Sequence, residues 1–131
     1  MADKITFVGT YALREGGFDE WVEAITDMVD FVKANVPRLL SFEVYVDEAK
    51  SEATSIYVHP DPESFAEHMK AAATRIDRGA QMVDVVRIDV YGNPGQLVVD
   101  RLHHVSEASN GFCCIGPAGF GQIRQLPSRT T

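Results

Sequence analysis

Along this chain the apolar positions switch between a spacing of two and a spacing of three to four, and the order of those switches limits the fold more than any single motif. Ile5, Phe7, Gly9, Tyr11 and Leu13 alternate with Thr6, Val8, Thr10 and Ala12, the period of a strand. After Gly16 and Gly17 the spacing changes to Phe18, Trp21, Val22, Ile25, Val29, Val32 and Val36, one face of a long helix that Pro37 ends. Asp19, Glu20 and Glu23 fall in its first turns, where acidic groups complement the helix dipole.

Leu40, Phe42, Val44 and Val46 then alternate with polar neighbours, and Thr54, Ile56 and Val58 do so again after the polar stretch 48–51. The two runs predict a hairpin. His59-Pro60-Asp61-Pro62-Glu63 leads into a second helix, with Asp61 as its cap and Pro62 at the first helical position. Its apolar stripe is Phe65, Met69, Ala72 and Ile76, and Gly79 is expected to close it. Val83 to Tyr91 predicts a last strand, ended by the turn Gly92-Asn93-Pro94-Gly95.

The order β-α-β-β-α-β predicts a ferredoxin-like α+β fold, two helices crossing one face of a four-stranded antiparallel sheet. Residues 1–95 would form this domain, and a chain of 131 residues can bury enough surface for a core without disulfides or metal. Residues 96–131 read as a C-terminal extension that packs on the domain or on a partner, because Leu97, Val98, Leu102, Phe112, Ile115 and Phe120 are too many apolar groups to leave in water. Within it, Gln96 to Glu107 is expected as a short helix or arm, Gly111 to Gly121 as irregular chain, and the last six residues as disordered.

Alternation assigns Phe7, Phe42, Val44, Ile56 and Val58, with Leu40 before them and Val86, Ile88 and Val90 after, to the helix-covered face. The open face then carries Val8, Tyr45, Tyr57, Val83, Val85 and Tyr91 among Thr6, Thr10, Glu43, His59, Arg87 and Asp89. That mixture is too apolar for a solvated face and too polar for a core. It predicts a homodimer that pairs through the open sheet face.

With 12 Lys and Arg against 19 Asp and Glu, the net charge is −7 and the pI about 4.9, which argues against nucleic acid or an anionic membrane surface as partner. The N-terminus lacks the basic start and apolar stretch of a signal peptide, and no run is long enough to span a membrane, so a cytoplasmic location is expected. Cys113 and Cys114 are adjacent, a spacing that strains a mutual disulfide and makes no CxxC site; they read as free thiols. The pair His103-His104 points in divergent directions on any regular element, and no HxxxH or HExxH occurs, so no metal site is expected.

Among the remaining titratable residues, His68 borders the buried stripe of the second helix, between Phe65 and Ala72, where it can act as acid or base or simply rest half-buried on a strand carbonyl. Trp21 reads more readily as core than as a ligand wall. His59 is expected to make an interface hydrogen bond on the open face, and Arg87 and Asp89 to pair across a dimer. Nucleophile elbow, phosphate loop, dinucleotide glycines and paired-carboxylate motifs are all missing, so hydrolysis, phosphoryl transfer and nicotinamide chemistry lack support.

The stretch Tyr57-Val58-His59-Pro60-Asp61-Pro62-Glu63-Ser64-Phe65-Ala66-Glu67-His68-Met69 resembles the antibiotic biosynthesis monooxygenase family of dimeric α/β barrels. Phe7-Val8-Gly9-Thr10-Tyr11 and Asp89-Val90-Tyr91-Gly92 are similar to segments of small members of that family, and Pro117-Ala118-Gly119-Phe120-Gly121 to a terminal motif of one subgroup. The resemblance implies a pocket between helices and sheet in each subunit. It also implies oxygenation of a small aromatic, quinol-like substrate without metal or organic cofactor, His68 serving as base or hydrogen-bond partner and Trp21, Phe42 and Phe65 as pocket walls. Where members often carry Trp at the end of strand three this chain has His59, and where they carry a second histidine it has Ala73. The first strand lacks the asparagine of the heme-degrading branch, which disfavours that activity. Two further readings stay open: a non-catalytic dimer that binds a small hydrophobic ligand or serves in stress, and a tail that makes a partner-regulated or higher oligomer.

Overall fold

The computed structural model describes residues 4–108 and 112–116. The elements run β1 (Ile5–Leu13), α1 (Phe18–Asn35), β2 (Ser41–Asp47), β3 (Glu52–His59), α2 (Pro62–Ala71), α3 (Ala73–Ala80), β4 (Val83–Tyr91), α4 (Gln96–Ala108) and β5 (Phe112–Gly116). The first four strands form the expected antiparallel sheet, covered on one face by α1, α2 and α3. β5 adds to β4 in parallel, giving the order β2-β3-β1-β4-β5.

The helix after β3 differs in one respect from its expectation. It breaks at Ala72, whose buried methyl packs among Met28, Val32 and Val36, and resumes as α3 through Gly79 to Ala80. Asp61 caps α2 as expected: its Oδ1 accepts from the Ser64 backbone N–H at 2.8 Å, and Pro62 occupies the first turn.

Register corrects the expected faces. Residues opposite each other in an antiparallel pair project to the same side, and β3 pairs Phe42 with Tyr57, Phe7 with Tyr57, Gly9 with Ser55 and Ile5 with His59. Ala53, Ser55, Tyr57 and His59 are therefore the buried residues of β3, while Ile56 and Val58 face the open side. The turn at 48–51 closes the pair Asp47–Glu52, so even-numbered inward residues on β2 face odd-numbered ones on β3.

β4 is also out of the expected phase over its first half. Thr10 pairs with Arg87 and Tyr11 with Val85, leaving Val86 as the extra residue of a β-bulge. The bulge turns Val83 and Val85 inward together with Ile88 and Val90, and leaves Val86 exposed. Leu40 likewise stands outside the core at 61% exposure, and Leu39 packs inward instead.

The open face of the four central strands is built in rows: Ser41, Val58, Thr6 and Tyr91; Glu43, Ile56, Val8 and Asp89; Tyr45, Thr54, Thr10 and Arg87. Arg87 donates to Asp89 within this chain, Nε to Oδ2 at 2.8 Å.

In the extension, α4 buries Val98 and Leu102 in the main core, while Leu97 is 87% exposed. The segment expected to be irregular contains β5, whose Gly116 carbonyl accepts from the Gly92 N–H at 2.7 Å. Gly92 has φ +105°, and a Cβ there would run into the Lys4 carbonyl, so only glycine fits this turn. His103 and His104 are exposed on α4. The Pro117–Gly121 motif, Phe120, the side chains of Phe112, Cys113, Cys114 and Ile115, and the last six residues lie outside what the structure describes.

Candidate functional site

The covered face of the sheet has a gap at its centre. Gly9 and Ser55 are paired neighbours there, and both lack the bulk to fill the layer beneath the helices. A Cβ on Gly9 would collide with the Tyr11 phenol and the Phe7 ring, so glycine at this position lets Tyr11 fold back across the strand. The Tyr11 hydroxyl meets Ser55 Oγ at 2.9 Å. The result is a cavity of about 130 Å³, whose lining includes Phe7, Trp21, Phe42, Tyr57, Ile88 and His68. That is close to the size of a cavity known to admit one benzene ring.

Aromatic contacts stiffen the walls. Tyr57 stacks on Phe7 with centroids 4.3 Å apart and planes 7° from parallel, and lies 5.4 Å from Phe42. Burial pushes the Tyr57 phenol well above its ordinary value of 10, so it stays protonated. Its hydroxyl has no hydrogen-bond partner among the described residues, although Tyr57 lines the cavity.

His68 reaches the cavity from α2, with its ring 4.7 Å from Tyr57 and 6.0 Å from Phe42. It is 2% exposed and does not rest on a strand carbonyl: its Nδ1 lies 2.9 Å from Nε2 of His59, which is fully buried. His59 Nδ1 in turn lies 2.7 Å from Ser64 Oγ. His59 is therefore not on the open face, because the hairpin register turns it inward beside Tyr57. Burial lowers both histidines, His59 to about 4 and His68 to about 3, with His59 lowering His68 further. Both are neutral near pH 7, and His68 Nε2 is the nitrogen left for a ligand.

Of the residues expected to wall a pocket, Trp21 and Phe42 line the cavity. Phe65 is fully buried one layer behind it, edge-on to Phe7 and Tyr57 and 5.3 Å from the His59 ring. Sequence reasoning missed Tyr11, Ser55, Tyr57 and Ser64. The signals for them were the even length of the 48–51 turn, which fixes the phase of β3, and the spacing of four between Ser64 and His68.

Two half-exposed arginines stand at the mouth. Arg75 lies over the Phe31 ring at 3.8 Å and donates Nε to Asp27 at 2.9 Å; Arg101 donates Nη2 to Asp77 at 3.1 Å. Among the described residues, no group of three or more His, Cys, Asp or Glu is gathered to hold a metal ion, and no helix is long and apolar enough to cross a membrane.

No protein-family model matches this sequence, and no curated protein matches it. Solved structures do. MupZ from Pseudomonas fluorescens superposes with a TM-score of 0.67 at 12% identity, covering 98% of this chain and 96% of its own. A candidate antibiotic biosynthesis monooxygenase from Caulobacter crescentus superposes with a TM-score of 0.61 at 15% identity, over 68% of this chain and 88% of its own. SnoaB, a cofactor-independent oxygenase from Streptomyces nogalater, gives 0.59 at 15% identity over 73% and 98%. At these identities the likeness establishes the fold, that of the antibiotic biosynthesis monooxygenase-like proteins, and leaves the reaction to be argued from the site.

Proposed function

We propose that this protein is a cofactor-independent monooxygenase acting on a small phenolic, quinol-like substrate. The observation that carries the reading is His68, neutral, with a nitrogen available to an open, aromatic-walled cavity with room for an aromatic ring. A phenol bound there gives its proton to His68 and becomes electron-rich at a ring C–H carbon ortho or para to its oxygen. Dioxygen adds at that carbon, the substrate supplying both electrons, and the hydroperoxide loses water to leave a carbonyl. One oxygen atom ends in the product and the other in water. Tyr57, held protonated, is placed to donate a hydrogen bond to the oxygen that gains charge. Trp21 and Phe42 hold the ring, Phe65 supports Phe7 and Tyr57 from behind, and Arg75 and Arg101 meet a polar substituent at the mouth.

Each cavity is lined by one chain, and the open face suits pairing with a second copy. Val8, Ile56 and Val58 form an apolar centre, with Tyr45 and Tyr91, each 56% exposed, at its rim. In this reading residues 1–95 carry the fold and most of the site, and α4 of the extension completes the cavity with Arg101 and Leu102.

Oxygen uptake with hydroquinone, catechol and 1-naphthol, with product mass read under labelled dioxygen, tests the activity. His68→Ala is expected to lower the rate about a hundredfold, and an unchanged rate removes His68 from the mechanism. One observation favours a second reading: the burial that keeps His68 neutral also makes it a weak base. A non-catalytic binder of the same phenols would show one-to-one binding by calorimetry with no oxygen consumed.

A further inference from the structure

Ser64 and His68 lie four residues apart on α2, so they occupy one face in consecutive turns. The His59 imidazole, from the end of β3, fits between them and touches one with each nitrogen, at 2.7 Å and 2.9 Å. Ser64 and His59 are fully buried. The oxygenase reading uses only His68 and leaves the other two without a role. The two hydrogen bonds offset the cost of burying a hydroxyl and a second imidazole, and they differ from a bond to a carbonyl in that their direction can reverse. A carbonyl only accepts, whereas a hydroxyl donates or accepts.

We propose that Ser64, His59 and His68 form a proton relay that sets whether His68 Nε2 meets a ligand as an acceptor or as a donor, an inference that rests on the oxygenase reading of the same site. With both rings neutral, the bond between them holds one proton. When that proton is on His68 Nδ1, His59 Nε2 is bare, His59 Nδ1–H donates to Ser64 Oγ, and His68 Nε2 offers a lone pair to the cavity. When it is on His59 Nε2, the Ser64 hydroxyl donates to His59 Nδ1, and His68 Nε2 presents an N–H. The two rings therefore always carry the same tautomer. Exchange with water links the two states, one proton taken up at His68 Nε2 for each one released at His59 Nδ1 through the Ser64 hydroxyl, so neither resting state places a charge in an apolar wall.

A phenolic ligand donates its proton, so its arrival selects the first state. In turnover the phenol O–H bond breaks toward His68 Nε2 as the His68 Nδ1 proton passes to His59 Nε2. The positive charge then lies on His59, whose Nδ1–H remains held by Ser64 Oγ. Asp61 favours a cation at His59 and Arg38 opposes it. The hydroperoxide anion formed with dioxygen recovers a proton from His68 Nε2 by the reverse shift, and the balance closes. His59 and Ser64 touch no substrate and act as positioning residues.

The test is nitrogen NMR of the full-length protein labelled with [15N]histidine at pH 7, with and without 1-naphthol. The expected result is matched tautomers in His59 and His68, both moving to the Nδ1–H form when 1-naphthol binds. Opposite tautomers in the two rings, or a His68 that moves while His59 does not, overturn the relay. In Ser64→Ala the ring response to 1-naphthol should be lost and kcat should fall about tenfold or more with KM changed less than about twofold; Ser64→Thr, which keeps the hydroxyl, should restore both. A Ser64→Ala protein with unaltered tautomers and kcat also overturns it. Because tautomers are read without turnover, a wild-type protein that consumes no oxygen with any phenol defeats the oxygenase reading alone.

Discussion

The two faces of this sheet share four strands and differ in what covers them. Beneath the helices, β3 presents Ser55, Tyr57 and His59; on the open side it presents Thr54, Ile56 and Val58. By hydropathy alone the faces look reversed. The covered face tolerates Ser55 and His59 because both find partners there: Ser55 the Tyr11 hydroxyl, His59 both Ser64 and His68. Among the described residues no helix covers the open face, and its centre of Val8, Ile56 and Val58 is apolar. On β3, then, the side that holds polar groups is decided by the supply of hydrogen-bond partners, although β1 and β4 keep the covered face apolar.

Placing the same charge at neighbouring positions of β3 is the strongest way to break that comparison. Tyr57→Lys puts an unpaired ammonium where an aromatic ring stacks on Phe7, and should cost more than about 4 kcal/mol, most of the stability of a marginal domain. Ile56→Lys should leave the fold intact by circular dichroism and, for the dimer proposed above, reduce the mass in sedimentation from two chains to one. Equal unfolding by both variants would show that the open face is core in its own right.

Period and turn chemistry made most of the fold legible. β1, α1, the hairpin, the Asp61 cap and Pro62, and the strand ending at Gly92 all lie where the spacing puts them. Phase was the harder quantity. The extra residue Val86 is one valine among several, and nothing local distinguishes a bulge from a regular pair. β3 failed for a different reason: its apolar residues are on the uncovered face, so hydropathy pointed the wrong way. Turn parity contradicted hydropathy there, and parity is the stronger constraint because a register slip would reverse every side chain. His68 was legible as a candidate from its place on the helix stripe. Its partners were not, since His59 comes from a strand and meets α2 only in the folded chain.

The buried histidines give the covered face a pH dependence in the mildly acid range. In the unfolded chain each histidine takes up a proton as pH falls through its ordinary 6.5, whereas in the folded chain His59 does so at about 4 and His68 at about 3. Between those limits the unfolded state binds more protons, so stability is full above about pH 6.5 and is lost as pH falls toward 4. The slope should approach two protons, about 2.7 kcal/mol per pH unit. Urea midpoints at pH 7, 6 and 5 measure it. His68→Leu should halve the slope, and a flat profile would mean that the pair is already charged or solvated.

The smallest effect tests the gap between Gly9 and Ser55, the feature that separates a cavity from a packed core. In Gly9→Ala the new methyl meets the ends of two flexible side chains, Tyr11 and Phe7, and not backbone. The strand can therefore keep its register while Tyr11 swings into the cavity, breaking its bond to Ser55. Overpacking of this kind costs about 1–3 kcal/mol, and the displaced ring occupies space that a ligand ring would need. Binding of 1-naphthol should weaken about tenfold or more, well beyond what the change in urea midpoint accounts for. On the opposite face the neighbouring Thr10→Ala removes volume from the open side and should leave that binding unchanged. If Gly9→Ala lowers stability but binds 1-naphthol as the wild type does, the ligand site is not this cavity, and the small residues at the centre of the covered face serve packing of the Tyr11 ring alone.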